Sequence, residues 1–180
     1  MMERKGVAMM KGQTLTVLGP ELKNGDRAPQ FTCVDTKLND YNLDKTRGKI
    51  RLIASVPSID TTVCSKEALR FNDEAEKLDN PEVAWLVVSM DLPFAQKRFL
   101  DDEDARGLTI ISDYRNASFG ENWGVLIKDL RLLQRAVFVV DKNNVIRHAE
   151  YVRDVGEFPN FDAAMKIVRE LAEQERKAAA

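Results

Sequence analysis

Apolar residues are grouped in short stretches that have the composition of buried β-strands. Residues 83–90 (VAWLVVSM) and 136–140 (AVFVV) are almost continuously apolar, which is typical of strands covered on both faces. Residues 50–56 and 108–112 predict two further strands, and 31–35 a shorter one. The sequence therefore predicts a sheet whose central strands are buried.

Turn-forming residues join other stretches into hairpins. The segment 141–144 (DKNN) has turn chemistry, so 136–140 and 145–152 are predicted to pair as a hairpin. Near the start of the chain, 13–18 (QTLTVL) alternates and ends at Gly19-Pro20, as a hairpin strand does. We therefore expect an N-terminal β-hairpin as well.

Helical spacing separates these strands. Apolar residues recur at helical intervals within 64–78, with Lys, Glu and Asp between them, and an apolar stripe marks a helix that begins at Phe161. Residues 94–104 and 117–123 predict two shorter helices. Strands that alternate with helices, followed by a hairpin and a terminal helix, predict an α/β fold with a mixed sheet flanked by helices. The thioredoxin-like fold is one such arrangement.

Composition narrows the class of protein. The 180 residues suit a single domain, 1–180, in which we expect 1–11 to be a flexible N-terminus. A hydrophobic fraction of 44% with 31% charged residues indicates a folded chain, and a net charge of −2 gives no reason to expect nucleic acid. No apolar run approaches the roughly 20 residues that cross a bilayer. Without a secretory leader pattern we expect a cytoplasmic protein, although a trimmed mature chain would look the same.

Two cysteines, Cys33 and Cys64, and one histidine, His148, limit the possible metal and redox chemistry. They are too few for a zinc site of the usual Cys/His kind, and the cysteines form no CxxC motif. We therefore expect no metal and no cofactor.

The segment before Cys64 favours an ionised thiol. A buried strand is predicted to end at Pro57, and the loop that follows is rich in helix-capping residues: Ser58, Asp60, Thr61 and Thr62. Cys64 would then lie in the first turn of a helix, where free N–H groups and the helix dipole stabilise an anion. Only the thiolate is a useful nucleophile. From the spacing alone, a buried structural cysteine is an equally good interpretation.

Three segments together resemble one family. The string 56–64 (VPSIDTTVC) contains the PxxxTxxC pattern of peroxiredoxins, and 89–96 (SMDLPFAQ) and 135–141 (RAVFVVD) are similar to further signatures of their thiol peroxidase branch. The resemblance covers nearly the whole chain. It implies a thioredoxin-like fold and a thiol-dependent peroxidase that reduces hydrogen peroxide and organic hydroperoxides through a cysteine sulfenic acid.

The resemblance also implies a role for individual residues. It makes Cys64 the nucleophile, Thr61 the hydroxyl that holds the peroxide, Pro57 a wall of the pocket, Arg135 the cation that stabilises the thiolate, and Met90 and Phe94 the apolar approach for substrate. Position alone would not single out Arg135 over Arg131 or Arg115. It would equally allow Met90 and Phe94 to be core residues.

The chain departs from this atypical two-cysteine branch at one position. Leu100 stands where the branch usually carries a resolving cysteine, and the acidic run 101–104 that follows is also unusual, which favours natural divergence over an engineered change. Cys33 could be structural or could act as a resolving cysteine. We expect a one-cysteine cycle with an external thiol reductant, either thioredoxin or a small thiol, and the branch suggests a homodimer. The alternative function is a peroxide sensor or redox-regulated interaction protein with poor turnover.

Overall fold

The computed structural model describes residues 1–180, which form two sheets and four α-helices. The strands are β1 Glu3–Met10, β2 Gln13–Leu18, β3 Thr32–Val34, β4 Asp40–Asn42, β5 Ile50–Ser55, β6 Val83–Ser89, β7 Thr109–Ser112, β8 Leu126–Ile127, β9 Ala136–Val140 and β10 Ile146–Tyr151. The helices are α1 Thr62–Leu78, α2 Pro93–Asp102, α3 Ser118–Asn122 and α4 Phe161–Ala178, with a 3-10 helix at Leu43–Thr46. No helix is both long enough and apolar enough to cross a membrane.

The larger sheet has seven strands in the order β10-β9-β5-β6-β7-β3-β4. Strands β5, β6 and β7 are parallel, whereas β9 pairs antiparallel with β5 and β10. The central strands β5 and β9 are buried along their whole length. The predicted α/β fold with a mixed sheet and buried central strands is therefore confirmed.

Alternate residues of the central strands face two separate cores. In β5, Leu52 points into a core shared with α1, α2 and α4, whereas Ile53 points into a core shared with α3 and β3. This division follows from the two-residue repeat of a strand. It places the sheet between two layers of side chains that do not meet.

The N-terminal hairpin is confirmed, but it begins earlier than the sequence predicts. Strand β1 (Glu3–Met10) pairs antiparallel with β2, and β8 completes a three-stranded sheet, where we expected a flexible terminus over 1–11. The register shifts between Lys5 and Ala8, and Gly6 has a φ of 69°. This bulge interrupts the strict alternation that identifies a strand in a sequence.

Candidate active site

The loop between β5 and α1 sets the position of Cys64. Thr61 caps α1 with extended backbone angles, and its Oγ1 accepts a hydrogen bond from the Cys64 N–H at 3.4 Å. Cys64 is the third residue of α1, so it lies in the first turn, as the capping residues predict. Its side chain is fully buried in the core that α1 and α4 form against the sheet.

Arg135 contacts the sulfur of Cys64. Its Nη2 donates to Cys64 Sγ at 3.2 Å, and both side chains are buried. The guanidinium is oriented by the Val155 carbonyl, which accepts from Nε at 3.1 Å and from Nη2 at 2.9 Å. A permanent cation beside the sulfur, together with the N-terminal end of α1, gives this thiol a positive environment.

The same guanidinium pairs with a second group that sequence reasoning missed. Arg135 Nη1 donates to Glu67 Oε2, and both side chains are at most 1% exposed. Burial raises the pKa of Glu67 to about 7, against the opposing effect of Arg135, and Oε1 of Glu67 has no hydrogen-bond partner. The available indication was spacing, because a residue three positions after Cys64 lies on the same helix face.

Asp91 is a further residue whose role the sequence did not reveal. Its carboxylate accepts hydrogen bonds from Ser58 Oγ at 2.7 Å, the Ile59 N–H at 2.7 Å and Ser89 Oγ at 2.6 Å. The Ser58 carbonyl in turn accepts from the Thr61 N–H and hydroxyl. Asp91 therefore anchors the loop that precedes Cys64.

The other arginines considered from sequence lie elsewhere. Arg115 forms an ion pair with Asp40 at 3.0 Å, and Arg131 is exposed. Of the three arginines, Arg135 is the one that contacts the sulfur of Cys64.

The remaining predicted residues differ in their placement. Pro57 is buried at the end of β5, next to the loop. Phe94 is 68% exposed at the start of α2, and Met90 packs against the core on the other face of the sheet from Cys64. The substrate-binding role of Met90 and Phe94 stays a prediction that no contact in the structure supports.

Comparison with known proteins identifies the family. The family model described as Redoxin matches residues 23–165. The thiol peroxidase of Halalkalibacterium halodurans is 45% identical over 159 residues, which is 88% of this chain and 95% of the relative. The chain belongs to the redoxin family, in its thiol peroxidase branch. The thiol peroxidase of Bacillus subtilis is 42% identical over 161 residues, 89% of this chain and 95% of the relative.

Solved structures agree with this membership. A peroxiredoxin-like protein from Aquifex aeolicus has a TM-score of 0.85 and 38% identity, covering 92% of this chain and 97% of its own. The thiol peroxidase from Chromobacterium violaceum has a TM-score of 0.81 and 24% identity, covering 93% of this chain and 97% of its own. At this level of identity, the likeness supports a shared fold and nothing further. These likenesses confirm the predicted thioredoxin-like fold.

The second cysteine of the chain, Cys33, lies on the other side of the central sheet from Cys64. Cys33 is 1% exposed in the core on the opposite face of the sheet from Cys64. Burial, and next the neighbouring Asp113 carboxyl, raise the pKa of its thiol. Both cysteines are free, and no group of three or more His, Cys, Asp or Glu side chains could hold a metal ion. Cys33 therefore has the environment of an inert, buried thiol.

Proposed function

We propose that this thiol-dependent peroxidase uses Cys64 as its nucleophile. The observation that carries the proposal is the contact of 3.2 Å between Arg135 Nη2 and Cys64 Sγ, in the first turn of α1. The thiolate attacks one peroxide oxygen, an S–O bond forms, and the O–O bond breaks. The other oxygen leaves with a proton as water or an alcohol, and Cys64 becomes a sulfenic acid.

Thr61 and Pro57 complete the proposed site. The Thr61 hydroxyl donates to the Ser58 carbonyl and accepts from the Cys64 N–H, so it is already held beside the first turn of α1. It can exchange these partners for the two oxygens of a bound peroxide, to which it can both donate and accept. Pro57 brings no N–H into the buried end of the loop and excludes water there.

We propose that recycling follows a one-cysteine cycle. An external thiol attacks the sulfenic acid, an S–S bond forms, and water leaves. A second thiol then attacks this mixed disulfide and releases Cys64. Support comes from Leu100, which cannot form a disulfide, and from the burial of Cys33 on the other side of the sheet. Thioredoxin and small thiols are both candidate reductants.

A second candidate function, a peroxide sensor with poor turnover, is favoured by one observation. The Cys64 sulfur is completely buried, so a reductant reaches its sulfenic acid only after local opening. Steady-state turnover with several thiols separates the two functions, because a sensor would be oxidised once and reduced slowly.

We also propose a homodimer and a cytoplasmic location. Exposed Leu92 (51%) and Phe94 (68%) place apolar surface at the start of α2, which suits burial against a second copy. Two free thiols suit a reducing compartment. Analytical ultracentrifugation of the wild type and of a Phe94→Asp variant tests the dimer.

Two serine substitutions test the nucleophile. Cys64→Ser should abolish the consumption of peroxide in the presence of a thiol, because a neutral hydroxyl does not replace a thiolate. Cys33→Ser is the matched control, and it should leave the rate of the first oxidation within about twofold of wild type, since Cys33 lies outside the proposed site. Stopped-flow fluorescence and peroxide assays measure both. Equal losses from the two substitutions would show that Cys33 takes part in the reaction.

A further inference from the structure

Strand β1 is hydrogen-bonded to the segment that orients Arg135. The Met9 N–H donates to the Arg153 carbonyl at 2.7 Å, and the Val155 N–H donates to the Met9 carbonyl at 3.0 Å. The carbonyl of Val155 is the group that accepts both Nε and Nη2 of Arg135. Val155 is therefore the single residue that links the active-site guanidinium to the N-terminal hairpin.

Side chains hold the same segment from two sides. Val155 is 4% exposed in a small core with Ala8, Val17 and Ile127, which belong to β1, β2 and β8. The Gln134 side-chain amide, directly before Arg135, donates to the Val7 carbonyl at 3.3 Å and to the Val152 carbonyl at 3.1 Å. The hairpin thus contacts the chain on both sides of the guanidinium.

The pairing of the hairpin explains why Met9 is free to make these bonds. Met9 lies opposite Thr14 in the antiparallel ladder, and its N–H and C=O are bonded to 153 and 155 instead of β2. Residues at such a non-hydrogen-bonded position direct their main-chain groups away from the partner strand. The two-residue turn between Met10 and Gln13 sets this register for the end of β1.

We propose that the N-terminal hairpin, through the main chain of Met9, is a positioning element for Arg135. It fixes the Val155 carbonyl, and that carbonyl aims the guanidinium at Cys64 Sγ. The inference rests on the role proposed above for Arg135. The matched family model begins at residue 23, so it does not include the hairpin.

A proline substitution removes the relevant donor. Met9→Pro deletes the N–H that bonds to the Arg153 carbonyl. It should lower the rate of Cys64 oxidation about tenfold or more, because small displacements of a catalytic group are costly. Met9→Leu keeps this N–H and should retain the wild-type rate. A loss that came from the packing of the Met9 side chain would appear in Met9→Leu as well.

The opposite strand supplies a matched control. Thr14 is exposed and pairs with Met9, so its N–H also points away from the partner strand. Thr14→Pro therefore disturbs the same hairpin without removing a bond to residues 153–155. It should leave the rate of Cys64 oxidation close to wild type, and a loss equal to that of Met9→Pro would overturn the inference.

A double-mutant cycle separates this inference from the proposed function. In an Arg135→Gln background, Met9→Pro should cause no further loss of oxidation rate, because the group that it positions is gone. Additive losses would overturn the positioning role alone. An unchanged rate in Arg135→Gln by itself would instead remove the role proposed for Arg135, and this inference with it.

A second variant keeps the test informative if Met9→Pro does not fold. Val155→Ala keeps the main chain but weakens the packing of Val155 against Ala8 and Val17. With folding checked by circular dichroism, it should lower the rate of Cys64 oxidation by a smaller factor than Met9→Pro. A folded Val155→Ala protein that is oxidised at the wild-type rate would overturn the inference.

Discussion

Three groups share the single guanidinium of Arg135. Cys64 Sγ, the Glu67 carboxylate and the Val155 carbonyl all accept from it in a buried environment. Two of these partners can be anionic, so they compete for one positive charge. Glu67 is incompletely stabilised as an anion, because one of its carboxylate oxygens has no hydrogen-bond partner and burial raises its pKa to about 7.

The ionisation of Glu67 predicts how stability depends on pH. Its pKa is about 7 in the folded protein against 4.5 for an ordinary glutamate, so between these values the folded state binds more protons than the unfolded state. Glu67 therefore contributes stability that is fully present below pH 4.5 and is lost as the pH rises through 7. Each pKa unit corresponds to about 1.4 kcal/mol, so the rise from 4.5 to about 7 corresponds to a loss of roughly 3 kcal/mol.

Glu67→Gln should remove this pH dependence. The free energy of unfolding of the wild type should therefore fall relative to that of the variant between about pH 5 and pH 8, as measured by urea denaturation. A wild type that gains stability relative to Glu67→Gln with rising pH would mean that pairing with Arg135 outweighs burial.

Among the elements, those with a long periodic pattern were predictable, and the short ones were not. The burial of β5, β6 and β9 and the length of α4 follow from their apolar patterns. The two residues of β8 and the three of β4 are too few to show a periodicity. These short strands form because neighbouring strands supply hydrogen-bond partners. A local sequence pattern does not reveal which strands will be neighbours.

The motif at 89–96 can be recognised in the sequence, but its physical role is evident only in the structure. Asp91 ties the loop before Cys64 to the end of β6, and its carbonyl accepts from Ser112 Oγ of β7. The Gln96 side chain donates to Ser89 Oγ at 2.9 Å and to the Ile111 carbonyl at 3.0 Å. The motif thus joins two strand ends, the start of α2 and the active-site loop.

Asp91→Ala should loosen this junction. It leaves Ser58 Oγ, Ser89 Oγ and the Ile59 N–H without their acceptor, and unsatisfied buried donors cost about 1–3 kcal/mol each. We expect a lower melting temperature and about tenfold slower oxidation of Cys64. Asp91→Asn keeps one acceptor oxygen, so its melting temperature and its oxidation rate should lie between those of Asp91→Ala and the wild type. If Cys64 is oxidised at the wild-type rate in Asp91→Ala, the Asp91 anchor does not position Cys64.

For the molecule as a whole, the central sheet determines what can follow the first oxidation. Cys64 and Cys33 lie in cores on opposite faces of the sheet, with β6 and β7 between β5 and β3. Bridged cysteines have Cα atoms roughly 4.4–6.8 Å apart, so a bond between them would require the sheet to separate. The positions of both cysteines can be read from the sequence, but their separation arises from the strand order, which no local pattern specifies.

Excess peroxide without reductant should therefore inactivate the protein. In the proposed one-cysteine cycle, the sulfenic acid on Cys64 has no internal thiol to capture it, so further peroxide should convert it to the sulfinic acid, which is largely irreversible. Intact mass under non-reducing conditions should show two or three oxygens added. Because the chain also contains six methionines that can be oxidised, Cys64→Ser treated in parallel is the necessary control.

Installing a thiol at position 100 tests the same mechanism in reverse. Leu100 packs at the edge of the core that contains Cys64, on helix α2, and α2 is held to the active-site loop by an ion pair of 3.1 Å between Arg98 and Asp60. Leu100→Cys should form a disulfide with Cys64 if α2 can locally unwind, and should slow the inactivation by peroxide. Leu100→Ser is the matched control and should inactivate like the wild type. In the wild type, a loss of two hydrogens with no oxygen added would mean that Cys33 and Cys64 pair, and the one-cysteine cycle would be wrong.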